Sequence, residues 1–233
     1  MKTKLLYLSL FALPFLISAC AQSSATKSET PAVNNSQTSI SKDTASEAEA
    51  VKNALNVGAK MPAFSLKDSD GKTVSSDDLL KQGNLVLVFY RGAWCPFCNL
   101  YLNNLQKNAA AIKEAGGNIV AVSVENPDKS TTVAKKNELQ FTVLSDPQLE
   151  TARKFGIVYE LPKETDETYK SKGLDVAKNN EMEKAELPLG ATYIVNRKGE
   201  IVYAFLDPDY KKRAEPEVII ENLKKLENSA ENK

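Results

Sequence analysis

Cys95 and Cys98 stand two residues apart in the run Arg91, Gly92, Ala93, Trp94, Cys95, Pro96, Phe97, Cys98, Asn99, and they are two of only three cysteines in 233 residues. Pro96 suits the first turn of a helix, where a missing N–H costs little. That puts Cys95 at or just outside a helix N-terminus, where unpaired N–H groups and the helix dipole stabilise an anion. The thiolate is the reactive form of cysteine, and such a position lowers its pKa. Two thiols one helical turn apart can close a small disulfide and reopen it. The chemistry implied is thiol–disulfide exchange, with Cys95 as the exposed thiolate that attacks first and Cys98 resolving. Tyr90, Trp94 and Phe97 supply an apolar wall for the site, Phe97 equally as core packing. Arg91 either favours a neighbouring thiolate or is an exposed structural arginine.

The composition removes competing chemistries. There is no histidine, which excludes His-ligated haem, His-containing zinc sites and Cys–His or Ser–His catalytic pairs. Two cysteines alone do not make a structural zinc site, which takes four N or S ligands. No metal and no cofactor are expected. Residues are 42% hydrophobic and 26% charged, and the formal net charge is zero, so the basic footprint of a nucleic-acid binder is missing.

The elements around the pair follow in order. Residues 1–19 carry Lys2 and Lys4, then an apolar run over 5–17, then small residues, the pattern of a secretory signal peptide. Its loss would leave the rest slightly acidic. The end, Leu16, Ile17, Ser18, Ala19, Cys20, resembles the lipobox of bacterial lipoproteins, which implies lipid on Cys20, a membrane-anchored lipoprotein and a location in the cell envelope, facing the periplasm. Residues 20–56 are rich in Ser, Thr, Ala, Gln, Asn and Glu and read as a flexible linker, with a short helix possible over 47–55. The folded domain is placed at 57–233.

Within it, 62–66 reads as a strand, 68–71 as a turn, and 73–80 as a strand end and a capped helical turn. The apolar run 85–90 is a buried strand leading into the cysteine pair. Phe97, Tyr101, Leu105 and Ile112 recur at helical spacing, and Gly116 with Gly117 ends that helix. A β-branched strand spans 119–124, a helix 131–139, a short strand 142–144 and a helix 149–155. The pattern weakens over 157–187, a charged stretch read as a surface excursion and a source of specificity. A hairpin, 192–195 and 201–205, and an amphipathic helix over 216–226 close the chain. This alternation argues for an α/β fold with a central mixed β-sheet flanked by helices, the site lying at the carboxyl end of a central strand.

From Pro62 to about Leu226 the chain resembles the thioredoxin superfamily, and more narrowly the peroxiredoxin-like branch of the alkyl hydroperoxide reductase/thiol-specific antioxidant family. The residues carrying the resemblance are Val88 to Asn99, with support from Leu144, Ser145, Asp146, Pro147 and from Ala191 to Asn196. The resemblance implies a thioredoxin-like fold and a thiol-dependent oxidoreductase that reduces peroxides or disulfides, recycled by a thioredoxin-like external thiol donor. Counted from Phe89 and Tyr90, Cys98 falls on the family's peroxidatic cysteine. Cys95 falls where the family has a threonine, and Arg91 where it has a proline. Gly190 falls where the family has an arginine, and where thioredoxins have a cis-proline; Pro188 lies two residues earlier. Arg91 or Arg153 is left to supply the charge.

Two routes therefore stay open, both ending in a Cys95–Cys98 disulfide. In disulfide exchange Cys95 attacks. In peroxide reduction Cys98 attacks, passes through a sulfenic acid, and Cys95 resolves it. A dedicated protein thiol–disulfide reductase or maturation factor without peroxidase activity, and a non-catalytic binding lipoprotein, are the competing classes.

Overall fold

The computed structural model describes residues 42–231. The signal peptide at 1–19, lipidation of Cys20 and the linker up to residue 41 lie outside them. The elements run α1 (Lys42–Asn53), β1 (Ser65–Asp68), β2 (Thr73–Ser75), α2 (Ser76–Gln82), β3 (Asn84–Tyr90), α3 (Pro96–Lys107), α4 (Ala109–Glu114), β4 (Gly117–Ser123) and α5 (Pro127–Lys136). They continue through β5 (Thr142–Ser145), α6 (Glu150–Lys154), β6 (Val158–Glu160), α7 (Lys163–Ser171), α8 (Val176–Asn179), β7 (Glu186–Pro188), β8 (Thr192–Val195), β9 (Ile201–Phe205) and α9 (Pro216–Glu231).

Seven strands make one mixed sheet in the order β2-β1-β5-β4-β3-β8-β9. β3 is parallel to β4, and β4 to β5, while β8 runs antiparallel to β3. All seven residues of β3 are buried, as its unbroken apolar run demands of a strand covered on both faces. Val86 and Val88 face Tyr101 and Leu105 of α3, Ile112 of α4, and Ile219 and Leu223 of α9. Leu85, Leu87 and Phe89 face the opposite core, with Leu79, Phe155 and Tyr193. Phe155 stacks at 5.1 Å on both Phe89 and Tyr193. Aromatic pairs of this kind hold the sheet and its helical cover in a fixed relation.

Three elements differ from the sequence reading. The helix expected from 97 to 112 is two helices, because Asn108 caps the first: its Nδ2 donates to the Asn104 carbonyl at 2.9 Å. Such side-chain competition with the backbone ends helices. The helix expected at 131–139 starts earlier, at Pro127. The stretch 157–187 is more than a surface excursion, since β6 pairs with β7 in a separate two-stranded sheet and α7 and α8 lie between them. Its Leu161, Val176 and Leu187 join the core.

Ordered structure also begins upstream of Val57. α1 lies in the stretch read as linker, where the sequence offers a short helix over 47–55; it starts earlier, and its Ala50 and Glu47 are buried. The Leu55 N–H donates to the Phe155 carbonyl at 2.9 Å, which ties the end of this segment to the end of α6. The scattered Ala and Val of α1 are few, but they meet an apolar face that composition alone does not reveal.

Candidate active site

The site is built where β3 ends. Gly92 has φ +142°, and a Cβ there would lie 2.6 Å from Trp94 Nε1 and 2.9 Å from Glu125 Cδ, so only glycine lets the chain turn here. Glu125, buried just past the end of the neighbouring parallel strand β4, accepts a hydrogen bond from the Ala93 N–H at 2.6 Å. The Cys95 N–H closes the turn on the Gly92 carbonyl at 3.1 Å. Cys95 is the N-cap of α3 and Pro96 opens its first turn, as the sequence predicts. Asn99 braces the loop from the helix side, donating to the carbonyls of Ala93 at 2.7 Å and Cys95 at 3.1 Å.

The two sulfurs face each other at 2.7 Å, and the Cys98 N–H points to Cys95 Sγ at 3.4 Å. Both thiols are buried, Cys95 at 1% exposure and Cys98 at 0%. The exposed Cys95 of the sequence reading is thereby corrected. The electrostatics favour the second of the two routes left open by the sequence. Sharing a hydrogen bond with Cys98, together with burial, pushes the Cys95 thiol far up. Burial works against the Cys98 thiolate too, but it is outweighed there. The Cys95 S–H, the Arg213 charge, the Arg91 backbone N–H and the Arg91 guanidinium together hold the Cys98 thiol below its ordinary range. These directions favour the negative charge on Cys98 and the proton on Cys95.

The cations around the pair come from two places. Arg91 is 2% exposed, so the reading of an exposed structural arginine falls. Its guanidinium lies 4.1 Å from the ring centre of Tyr210 and 5.0 Å from that of Trp94, and its Nη2 donates to the Tyr169 hydroxyl at 2.8 Å. Tyr169 belongs to α7, so the segment with the weakest pattern supplies part of the site's cover. Arg213, in the loop between β9 and α9, sends Nη2 to 3.6 Å from Cys98 Sγ. Arg153, the other charge considered from sequence, bonds Glu186 at the surface and is not part of the cluster.

The apolar wall divides. Tyr90 is fully buried in the small core that also holds both cysteines, Leu102 and Val133. Trp94 stacks edge-on against Tyr169 at 5.8 Å. Phe97 is not core: it is 39% exposed and packs its ring on Tyr210 at 5.9 Å. With Leu100, Tyr101, Phe205 and Arg213 it lines a groove of about 700 Å³. Tyr169, Tyr210, Arg213 and Glu125 were not singled out from sequence, since nothing near them in the chain marks them.

Comparison with known proteins gives a consistent picture. Residues 57–204 match the AhpC/TSA family. The Escherichia coli K12 protein named peroxiredoxin Bcp is 38% identical over 106 residues, 45% of this chain and 67% of its own. The chloroplastic peroxiredoxin Q of Populus jackii is 27% identical over 172 residues, 74% of this chain and 68% of its own. Among solved structures, peroxidoxin BcpB from Mycobacterium tuberculosis superposes with a TM-score of 0.59 at 19% identity, covering 74% of this chain and 98% of its own. The fold is thioredoxin-like, with the central mixed sheet and flanking helices described above.

Proposed function

The chain belongs to the AhpC/TSA family and is a thiol-dependent oxidoreductase; on that premise we propose that it reduces peroxides through Cys98, with Cys95 as the resolving cysteine. The Cys98 thiolate attacks one peroxide oxygen. The S–O bond forms as the O–O bond breaks, and the departing oxygen takes a proton and leaves as an alcohol or water. Cys98 is left as a sulfenic acid. The Cys95 thiol attacks that sulfur, a disulfide forms and water leaves. An external dithiol, of the thioredoxin-like kind used by the family, then reduces the disulfide and is itself oxidised.

The observation that carries this is the convergence of donors on one sulfur. Cys98 Sγ has the Cys95 sulfur at 2.7 Å and the Arg213 guanidinium at 3.6 Å. The Cys95 thiol is pushed up and the Cys98 thiol held down, which favours attack through Cys98 over a dedicated protein-disulfide reductase that attacks through Cys95. The test is stopped-flow oxidation of the reduced protein by hydrogen peroxide and by an alkyl hydroperoxide. Oxidation is expected to be much faster than that of a free thiol in wild type and Cys95→Ser, and to vanish in Cys98→Ser. Oxidation at free-thiol speed, or one that requires Cys95, overturns the proposal.

The same proposal includes lipid on Cys20 and a cell-envelope location, supported by the charged start, the apolar run and the residues Leu16 to Cys20. Metabolic labelling with a radioactive fatty acid in a bacterial host should mark the wild-type chain and spare Cys20→Ala. Equal labelling of both chains would remove the anchor.

A further inference from the structure

Gly190, just before β8, is buried, and an added Cβ would lie 2.3 Å from Arg213 Cζ and Nη1 and 2.5 Å from Nη2. The guanidinium therefore rests directly on a backbone that lacks a side chain. It is held there by a bond from Nη1 to the Lys212 carbonyl at 2.7 Å, with the Tyr101 ring 5.9 Å away. Nη2 reaches Cys98 Sγ at 3.6 Å, and Nε is buried with no hydrogen-bond partner. The groove lined by Phe97, Leu100, Tyr101 and Phe205 is lined by this same group as well. A cation that lines a groove thus also touches the reacting sulfur, with donor capacity left over.

We propose that Arg213 is a catalytic residue of the peroxide reaction: it binds the O–O group beside Cys98 and stabilises the oxygen that leaves, and Gly190 is the cradle that lets it do so. This rests on the peroxidase reading above. As Cys98 sulfur bonds to the near oxygen, negative charge grows on the far one. A rigid, always-charged fork whose N–H groups are shared between the sulfur and that oxygen lowers the energy of the transition state more than that of the thiolate alone. A lysine at 213 keeps the charge but not the fork.

The experiment separates this role from mere thiolate stabilisation. Second-order rates of Cys98 with hydrogen peroxide and with iodoacetamide are measured across pH in wild type, Arg213→Lys, Arg213→Ala and Gly190→Ala. Above the thiol pKa of every variant, Arg213→Ala is expected to lose roughly 100-fold with peroxide, the usual effect of deleting one preorganised donor. With iodoacetamide it should match wild type there. Arg213→Lys is expected to keep only part of the peroxide rate, and Gly190→Ala to lose rate with its arginine intact but displaced. Equal losses with both reagents, or peroxide rates that recover fully at high pH, overturn the assignment and leave Arg213 a thiolate stabiliser. A fast wild type with unaffected variants also overturns it while the peroxidase reading stands. A wild type no faster than a free thiol sinks both.

Discussion

Cys98 and Cys95 differ because of what comes to each from far along the chain. The Arg213 contact spans 115 residues, and the Tyr169 hydroxyl that fixes Arg91 comes from 78 residues away. Arg91 sits in a cage of Tyr210, Trp94 and Tyr169, and its charge favours the thiolate form of both cysteines. Arg91→Met should raise the Cys98 pKa, since it removes a cation that favours the thiolate. Reactivity with iodoacetamide rises with pH as the thiolate forms, so its plateau should move to higher pH. A midpoint moved up by about one pH unit lowers the rate on the acid side roughly tenfold. A profile that does not move would mean that the cage holds the loop and not the charge. Glu125 titrates in the opposite sense to Cys98. Burial holds its carboxyl above the usual value of 4.5, so stability is present below that value and lost as pH rises through the folded pKa. Glu125→Gln keeps an acceptor for the Ala93 N–H and avoids that loss. Urea midpoints should favour the variant at neutral pH and converge near pH 4; a gap independent of pH would contradict this. The pair, its spacing and its place at a helix start were legible in the sequence, because Pro96 and the two-residue gap are local. The burial of Cys95 and its high pKa were not, because the covering groups are distant.

Among the elements, the strand, turn and helix around the pair were legible because each is written in contiguous residues. The apolar run of β3, the turn glycine and the proline at the helix start are all neighbours in sequence. The turn depends on Gly92 most, and Gly92→Ala should destabilise the protein by roughly 1–3 kcal/mol through left-handed backbone strain, with the Trp94 and Glu125 clashes added. Guanidinium chloride unfolding would measure it, and an unchanged midpoint would show that the turn has room to relax. The segment holding β6, α7, α8 and β7 was hidden by its charge. α7 has no fully buried residue, and its bond to the site passes through one side chain, Tyr169. Tyr169→Phe leaves the ring against Trp94 but takes the acceptor from Arg91 Nη2. It should cost about 1–3 kcal/mol, the penalty for a buried donor left without its partner. The same unfolding titration reads it, and a loss well below that range would mean that Arg91 finds another acceptor.

In the molecule as a whole, the order of strands and helices was enough for the fold class, since alternating patterns dictate layers. It offered a short helix over 47–55 but not the burial of that helix against the domain. α1 has a linker's composition, and only the partner surface around Phe155 and β6 makes it structure. A chain starting at Val57 should therefore melt lower than one starting at residue 42, by the several degrees that about 1 kcal/mol represents, because the Leu55–Phe155 bond and the burial of Ala50 are lost. Equal melting would return α1 to the linker. The two arginines and the resolving thiol act on one sulfur, and that is the point to measure first. Reduced Cys95→Ser protein is treated with one equivalent of hydrogen peroxide and a dione probe selective for sulfenic acids, then digested and read by mass spectrometry. The probe is expected on Cys98 in near-stoichiometric yield, and not on Cys95 in the reciprocal Cys98→Ser protein. Label on Cys95, or no label in either variant, would mean that Cys98 is not the peroxide-reactive thiol.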